Sequence, residues 1–178
     1  PKDKQYHIVD LGCGHGDMLR IIADWGKKNG YNLVFIGIDA NLDTINYAKE
    51  LSVNQTNITF KCVDIFSDEF KKIHCDITLA TLFLHHFKDE EIIQLLKIFK
   101  QNTRLGIVIN DLQRSKLAYI LFQCLGLVIS NKMVKEDGLT SIRRAFKKIE
   151  LEKFSNQLQL QSQISWKWAF RYQWLITK

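Results

Sequence analysis

Three carboxylates and a run of glycines carry the chemistry most legible in this chain. Asp10-Leu11-Gly12-Cys13-Gly14-His15-Gly16 follows an apolar run, Asp39 closes Leu33 to Ile38, and Asp64 closes Ile58 to Val63. Glycines at 12, 14 and 16 let the backbone turn tightly and approach a ligand, and a helix starting behind them offers unpaired N–H groups to a carboxylate. An acid about 20 residues beyond such a loop is placed to accept hydrogen bonds from both hydroxyls of a ribose. That is the role expected of Asp39, with Asp64 meeting an adenine amino group. A dinucleotide fingerprint would put its last glycine where Asp17 stands, so nicotinamide cofactors are disfavoured. Taken singly, the loop is a tight turn, Asp39 a helix cap and Asp64 a turn residue. The signal lies in their combination.

A second polar set follows. Leu84-His85-His86-Phe87 comes directly after the strand expected over Asp76 to Thr81, and an imidazole titrating near neutrality there is suited to take a phenolic or carbon-acid proton. His85 and His86 are the candidate bases; the plainer reading has one packing or capping the next helix and the other solvated. His15 fits the shell of a cofactor better than a base. Asn110-Asp111-Leu112-Gln113-Arg114 is a lesser cluster at the same sheet edge, with Asp111 read as a helix cap. Asn110, Arg114 and Arg143 are the substrate candidates, with Arg143 or Arg144 as a clamp for an anionic or carbonyl-bearing group. A solvated basic face is the simpler reading of Arg143 and Arg144, and a surface position that of Arg114.

The elements that must hold these residues alternate. Strands are expected at Tyr6 to Leu11, Leu33 to Ile38, Ile58 to Val63, Asp76 to Thr81 and Arg104 to Asn110. Helices are expected from Asp17 to Lys28, from a cap at Asn41 through Leu51, and around Ile92, Leu95, Leu96 and Phe99. Beyond these, an apolar helix from about Ser115 to Ile129, a basic connection around Lys132 and Lys135, and a helix from about Leu139 to Leu151 form a cap over the substrate side. The apolar helix lines a pocket for a greasy acceptor, or is a buried core or dimer helix. Leu158 to Ile176 alternates polar with apolar and aromatic residues, which predicts two antiparallel strands. The order implies a three-layer α/β/α sandwich with a mostly parallel seven-stranded sheet ending in an antiparallel hairpin.

At 178 residues the chain suits one domain, residues 1–178. Hydrophobic residues at 46% and charged residues at 25% exclude a disordered or repetitive protein. Leu117 to Ile129 falls short of the roughly 18 apolar residues that span a bilayer. Four cysteines with no C-x-x-C spacing argue against a zinc site or a secreted disulfide scaffold and fit a reducing, cytoplasmic setting. Neither acids nor histidines show metal-ligand spacing, so no metal is expected. Pro1 in place of Met leads one to expect a preceding segment, with the role of a lid.

Val9-Asp10-Leu11-Gly12-Cys13-Gly14-His15-Gly16, then Gly37-Ile38-Asp39, then Val63-Asp64 resemble the successive motifs of class I, Rossmann-like S-adenosylmethionine-dependent methyltransferases. The resemblance implies S-adenosylmethionine as cofactor. It also implies that Asp10, Gly12, Cys13, Gly14 and Gly16 hold its methionine part, that Asp39 with Ala40 binds the ribose, and that Asp64 with Ile65 lines the adenine. Thr81, at the end of the fourth strand, joins that set. Leu82 to Phe87 with Asn110 to Arg114 is similar to bacterial small-molecule methyltransferases of quinone, polyphenol or polyketide pathways. An aromatic or quinone-like small molecule, methylated at oxygen or less readily at carbon, is the expected acceptor.

Pro1 is the only proline, so the Asn- or Asp-Pro-Pro-aromatic motif of nucleic-acid amino methyltransferases is missing, and Cys75 lacks the Pro-Cys context of cytosine methylation. Nucleic acid is thus not the expected partner. Two rivals stay open. An RNA methyltransferase draws on the net charge of +6 and the basic segment Lys132 to Lys148, and requires RNA affinity that falls steeply with salt. A non-catalytic, methyltransferase-like binding subunit would keep the fold without turnover.

Overall fold

The computed structural model describes residues 1–127 and 130–178. Strands β1 (Gln5–Leu11), β2 (Asn32–Asp39), β3 (Ile58–Cys62), β4 (Cys75–Thr81) and β5 (Thr103–Leu112) run parallel, and β6 (Gln161–Lys167) and β7 (Arg171–Thr177) form an antiparallel hairpin on β5. The seven-stranded sheet has the order β3-β2-β1-β4-β5-β7-β6. The strand order reverses beside β1, whose neighbours are β2 and β4, and a crevice opens there outside the carboxyl ends of the strands. That crevice receives the loop after Leu11.

Alternating residues of β1 and β2 face opposite layers, as a pleated strand requires. Ile8 and Phe35 meet Leu19 and Ala23 of helix α1 (Asp17–Lys28) and Ile45 and Ala48 of α2 (Leu42–Leu51). Val9, Leu11 and Ile38 belong instead to the core under Ile92, Leu95, Leu96 and Phe99 of α3 (Asp89–Asn102) and Leu151 and Phe154 of α6 (Lys148–Gln157). Tyr172, Trp174 and Ile176 of β7 turn into this second core, and Trp174 is wholly buried. Asn41 caps α2 as its sequence position predicts, its side chain accepting from Thr44 N–H at 3.0 Å.

The cap over the sheet edge departs from expectation. The apolar helix α4 spans Lys116–Leu125, and Val128 and Ile129 of its expected range lie outside the described residues. Lys132 and Lys135 do not form a connection. They open helix α5 (Lys132–Arg144), because Asn131 accepts from the N–H groups of Met133 and Val134 at 3.0 and 3.3 Å. Asp137 and Gly138 therefore sit inside a helix, where Gly138 lets the Phe122 ring pack closely.

The helix expected across Leu139 to Leu151 is broken at Ala145-Phe146-Lys147. The end of β5 captures this stretch: Phe146 N–H donates to Leu112 O at 3.1 Å, Arg114 N–H donates to Phe146 O at 2.8 Å, and Arg114 Nε donates to Ala145 O at 2.7 Å. Hydrogen bonds to a distant strand displace the local helix pattern. Glu150 then accepts from Lys147 N–H and restarts the chain as α6.

Candidate active site

The loop from Gly12 to Gly16 turns with positive φ at each of its three glycines, 63°, 52° and 78°. Only glycine adopts such backbone freely. A side chain at Gly12 would collide with the Phe83 ring, 2.3 Å from its Cβ position, so this glycine sets how closely two walls of the crevice approach. Nothing stands within 4 Å of a Cβ at Gly14, leaving its backbone open to a ligand. Gly16 precedes α1 without a capping side chain, and the first N–H groups of that helix are suited to a carboxylate.

Asp39 ends β2 beside this loop. Its Oδ2 accepts from Gly14 N–H at 3.2 Å and its Oδ1 from Asn41 N–H at 3.0 Å. A carboxylate has about four acceptor positions, so Asp39 retains capacity for further donors. Asp64 Oδ1 accepts from Phe66 N–H at 2.9 Å, which holds the turn after β3 beneath the same opening.

A cavity of about 320 Å³ lies between them. Of the residues expected to hold a cofactor, Gly12, Asp39, Ala40, Asp64 and Ile65 line it, and His86 joins them. Cys13, Gly14, Gly16 and Thr81 are not among its lining residues; Cys13 is buried, and burial followed by the charges of Asp10 and Asp39 pushes its thiol up to about 12. Asp10 is also buried, and desolvation raises its carboxyl to about 7. His15 is exposed and meets Tyr47 edge-on at 4.9 Å. The residues present fit a nucleoside that carries an amino-acid tail: acids at two strand ends, an open glycine backbone, a bare helix start and an apolar wall.

Phe66, Phe83 and Phe87 supply that wall; Phe83 and Phe87 fall in the run expected at the site, but Phe66 and an aromatic wall were not anticipated. Phe83 and Phe87 pack edge to face at 5.0 Å, and Phe66 meets Phe87 at 5.8 Å. Their only mark in the sequence is the aromatic flanking of the two histidines and of Asp64-Ile65.

The histidines part company. His85 is buried and its Nδ1 lies 2.7 Å from Asp111 Oδ1. A carboxylate can only accept, so Nδ1 carries the hydrogen. Asp111 Oδ2 accepts further bonds from the N–H groups of Phe83, Leu84 and His85 at 3.2, 2.8 and 3.3 Å. Asp111 is thus no helix cap. It lies within β5, one residue beyond the expected strand end, and ties down the whole turn that presents His86; Ser115 caps α4 in its place. His86 is exposed at the cavity, its ring 4.1 Å from that of His85. Burial and then the adjacent His85 lower the His86 pKa below its ordinary value.

None of the three substrate candidates reaches this cavity. Asn110 pairs with Thr81 across the strands and its buried Oδ1 has no partner among the described residues. Arg114 is committed to Ala145 O and, at 2.5 Å, to Glu150. Arg143 leans on Thr140 at the surface, and the two arginines flank a separate groove beside α4.

Among solved structures, the plantazolicin methyltransferase BpumL in complex with SAH matches with a TM-score of 0.73 at 20% identity, over 97% of this chain and 76% of that one. Magnesium protoporphyrin IX methyltransferase (ChlM) from Synechocystis PCC 6803 with bound SAH matches with a TM-score of 0.66 at 13% identity, over 98% and 74%. A SAM dependent methyltransferase from Aquifex aeolicus gives 0.70 at 12%, over 96% and 81%. At such identities the likeness is one of fold. No curated protein matches the chain by sequence. Residues 2–137 match the family described as "Methyltransferase domain", a stretch that takes in β1 to β5 and every residue lining the cavity, and the chain therefore belongs to that methyltransferase family.

Proposed function

We propose that this methyltransferase moves a methyl group from S-adenosylmethionine to an oxygen of a small aromatic or quinone-like acceptor, with His86 as the base. The observation that carries the reading is a cavity with acids on one wall, phenylalanines on the other and one exposed imidazole at its edge. When bound, S-adenosylmethionine supplies an electrophilic methyl group on a sulfonium. Asp39 accepts from the ribose hydroxyls, Asp64 and Ile65 hold the adenine, and the glycine loop with the start of α1 receives the methionine end.

The acceptor's O–H proton passes to His86, whose lowered pKa keeps it neutral and able to accept at neutral pH. Loss of that proton leaves the acceptor oxygen as the nucleophile that the bound donor's methyl group would require. His85 is a positioning residue: anchored on Asp111, it holds the His86 ring through direct contact. Phe83 and Phe87 keep water from the transfer path. An apolar groove of about 280 Å³ at the end of β5, lined by Leu112, Phe122, Leu125 and Phe170, further supports an apolar acceptor.

Turnover of a panel of phenols and hydroquinones by wild type and His86→Ala, at saturating donor, tests this reading. Loss of general-base catalysis predicts a fall in kcat of about a hundredfold or more. The wild-type rate should decline only on the acid side of neutrality, since protonated His86 cannot accept. An unchanged kcat in His86→Ala would leave alignment as the whole of catalysis.

A further inference from the structure

Helix α4 carries apolar side chains on two faces. Ala118 and Phe122 point inward, Ala118 buried and Phe122 against Gly138 of α5. Leu117 and Ile120 lie outside the groove that Ala118 and Phe122 line, Leu121 and Leu125 stand along it, and all four are at least half exposed. At the start of α5, Met133 and Val134 add to this surface. Monomeric soluble proteins rarely leave such a contiguous patch to water.

Lysines flank it at both ends. Between Asp111 and Glu136 the sequence contains no acid, and Lys116 stands at one end of the patch and Lys135 at the other, while Arg114 is held by Glu150 and Lys132 lies 3.7 Å from Glu136. Lysine is depleted at interfaces between proteins. Apolar side chains flanked by lysines are instead what an anionic lipid surface accepts, the former entering the acyl boundary and the latter meeting headgroups. No helix among the described residues is long and apolar enough to cross a membrane, so the contact would be peripheral.

We propose that the exposed apolar surface of α4 with the start of α5 binds anionic membrane surfaces, docking the protein on the bilayer through Leu117, Ile120, Leu121 and Leu125. Binding of this kind requires neither donor nor turnover, so it stands or falls independently of the reaction proposed above.

Vesicle flotation of the whole chain decides it, with phosphatidylcholine alone compared with phosphatidylcholine mixed with phosphatidylglycerol. The protein should float with the anionic vesicles and stay behind with the neutral ones. Each basic side chain near the surface is worth about a fivefold change in partitioning, so Lys116→Gln with Lys135→Gln should weaken binding by about 25-fold. Leu121→Glu with Leu125→Glu should abolish flotation, with circular dichroism and thermal unfolding checking that the fold persists. Should that variant unfold, the lysine pair still decides, because its changes lie on the surface. Wild type that floats with neither composition, or with both equally, overturns the proposal. So does a stable wild-type dimer that Leu121→Glu converts to monomer, which would assign the face to a second copy.

Discussion

Asp39 and Asp111 are the same residue type at the same topological place, near the carboxyl end of a parallel strand, yet their environments are opposite. Asp39 is partly open, and two backbone N–H groups leave its carboxylate with acceptor capacity for a ligand. Asp111 is 1% exposed and surrounded by donors: three N–H groups of the turn after β4, its neighbour Leu112 N–H and the His85 ring. The one is built to receive a ligand, the other to hold a turn. Asp10, the last residue but one of β1, is a third case, buried with its carboxyl raised to about 7. What a strand-end acid does depends on which donors already fill it.

The largest test of that contrast is Asp111→Asn. An amide places N–H groups where only acceptors fit, leaving either the backbone donors or His85 unpaired in the interior. Urea unfolding should show a loss of about 3–5 kcal/mol. Asp39→Asn, by contrast, should change stability by less than about 0.5 kcal/mol. Equal losses in both would erase the distinction.

Asp10 sharpens the comparison through pH. In the unfolded chain its carboxyl titrates at 3.8, in the fold at about 7. Between those values the unfolded state has released its proton and the native state still holds it, so stability falls as pH rises from about 4 to about 7 and then levels. One pKa unit is about 1.4 kcal/mol, which makes the full change up to about 4 kcal/mol. Thermal unfolding across this range should show the slope in wild type and a flatter profile in Asp10→Asn. A slope of the opposite sign would mean that this carboxylate is charged and paired.

Donor affinity is the next measure. Asp39→Ala removes the acceptor expected to meet the ribose, and calorimetry with S-adenosylmethionine should record a weakening of about tenfold or more. No binding by wild type, or equal binding by the variant, would overturn the assignment of that wall. The smallest effect concerns Leu82, which leaves β4 with φ at 53° although it is not a glycine. Strain of this kind costs about 1 kcal/mol or more, and Leu82→Gly should recover part of it while loosening the turn that carries His86. A gain in stability with a lower kcat would confirm that the acceptor side stores strain the donor side avoids.

Much of the donor side was legible because its residues follow their strands directly. An apolar run stopping at Asp10, Asp39 or Asp64 announces both the strand and the residue that emerges from its end, and parallel pairing brings those ends to one edge. The cap was less legible. Helical periodicity ran through Ala145 to Lys147, but bonds from Leu112 and Arg114 outcompeted it. Asn131 was an available cap signal for α5, masked by the basic residues that followed.

By itself the sequence determined the alternation of strands and helices, the hairpin at the end, the glycine turn and the acids beside it, because all of these depend on short-range pattern and backbone sterics. Only the tertiary structure decided that Arg114 would bind Glu150 and Ala145, that the phenylalanines would wall the cavity, and that His85 would be buried on Asp111 while His86 faced the opening. Two adjacent histidines are equivalent in sequence. A carboxylate 26 positions away distinguishes them, and that distance is closed only when β5 pairs with β4.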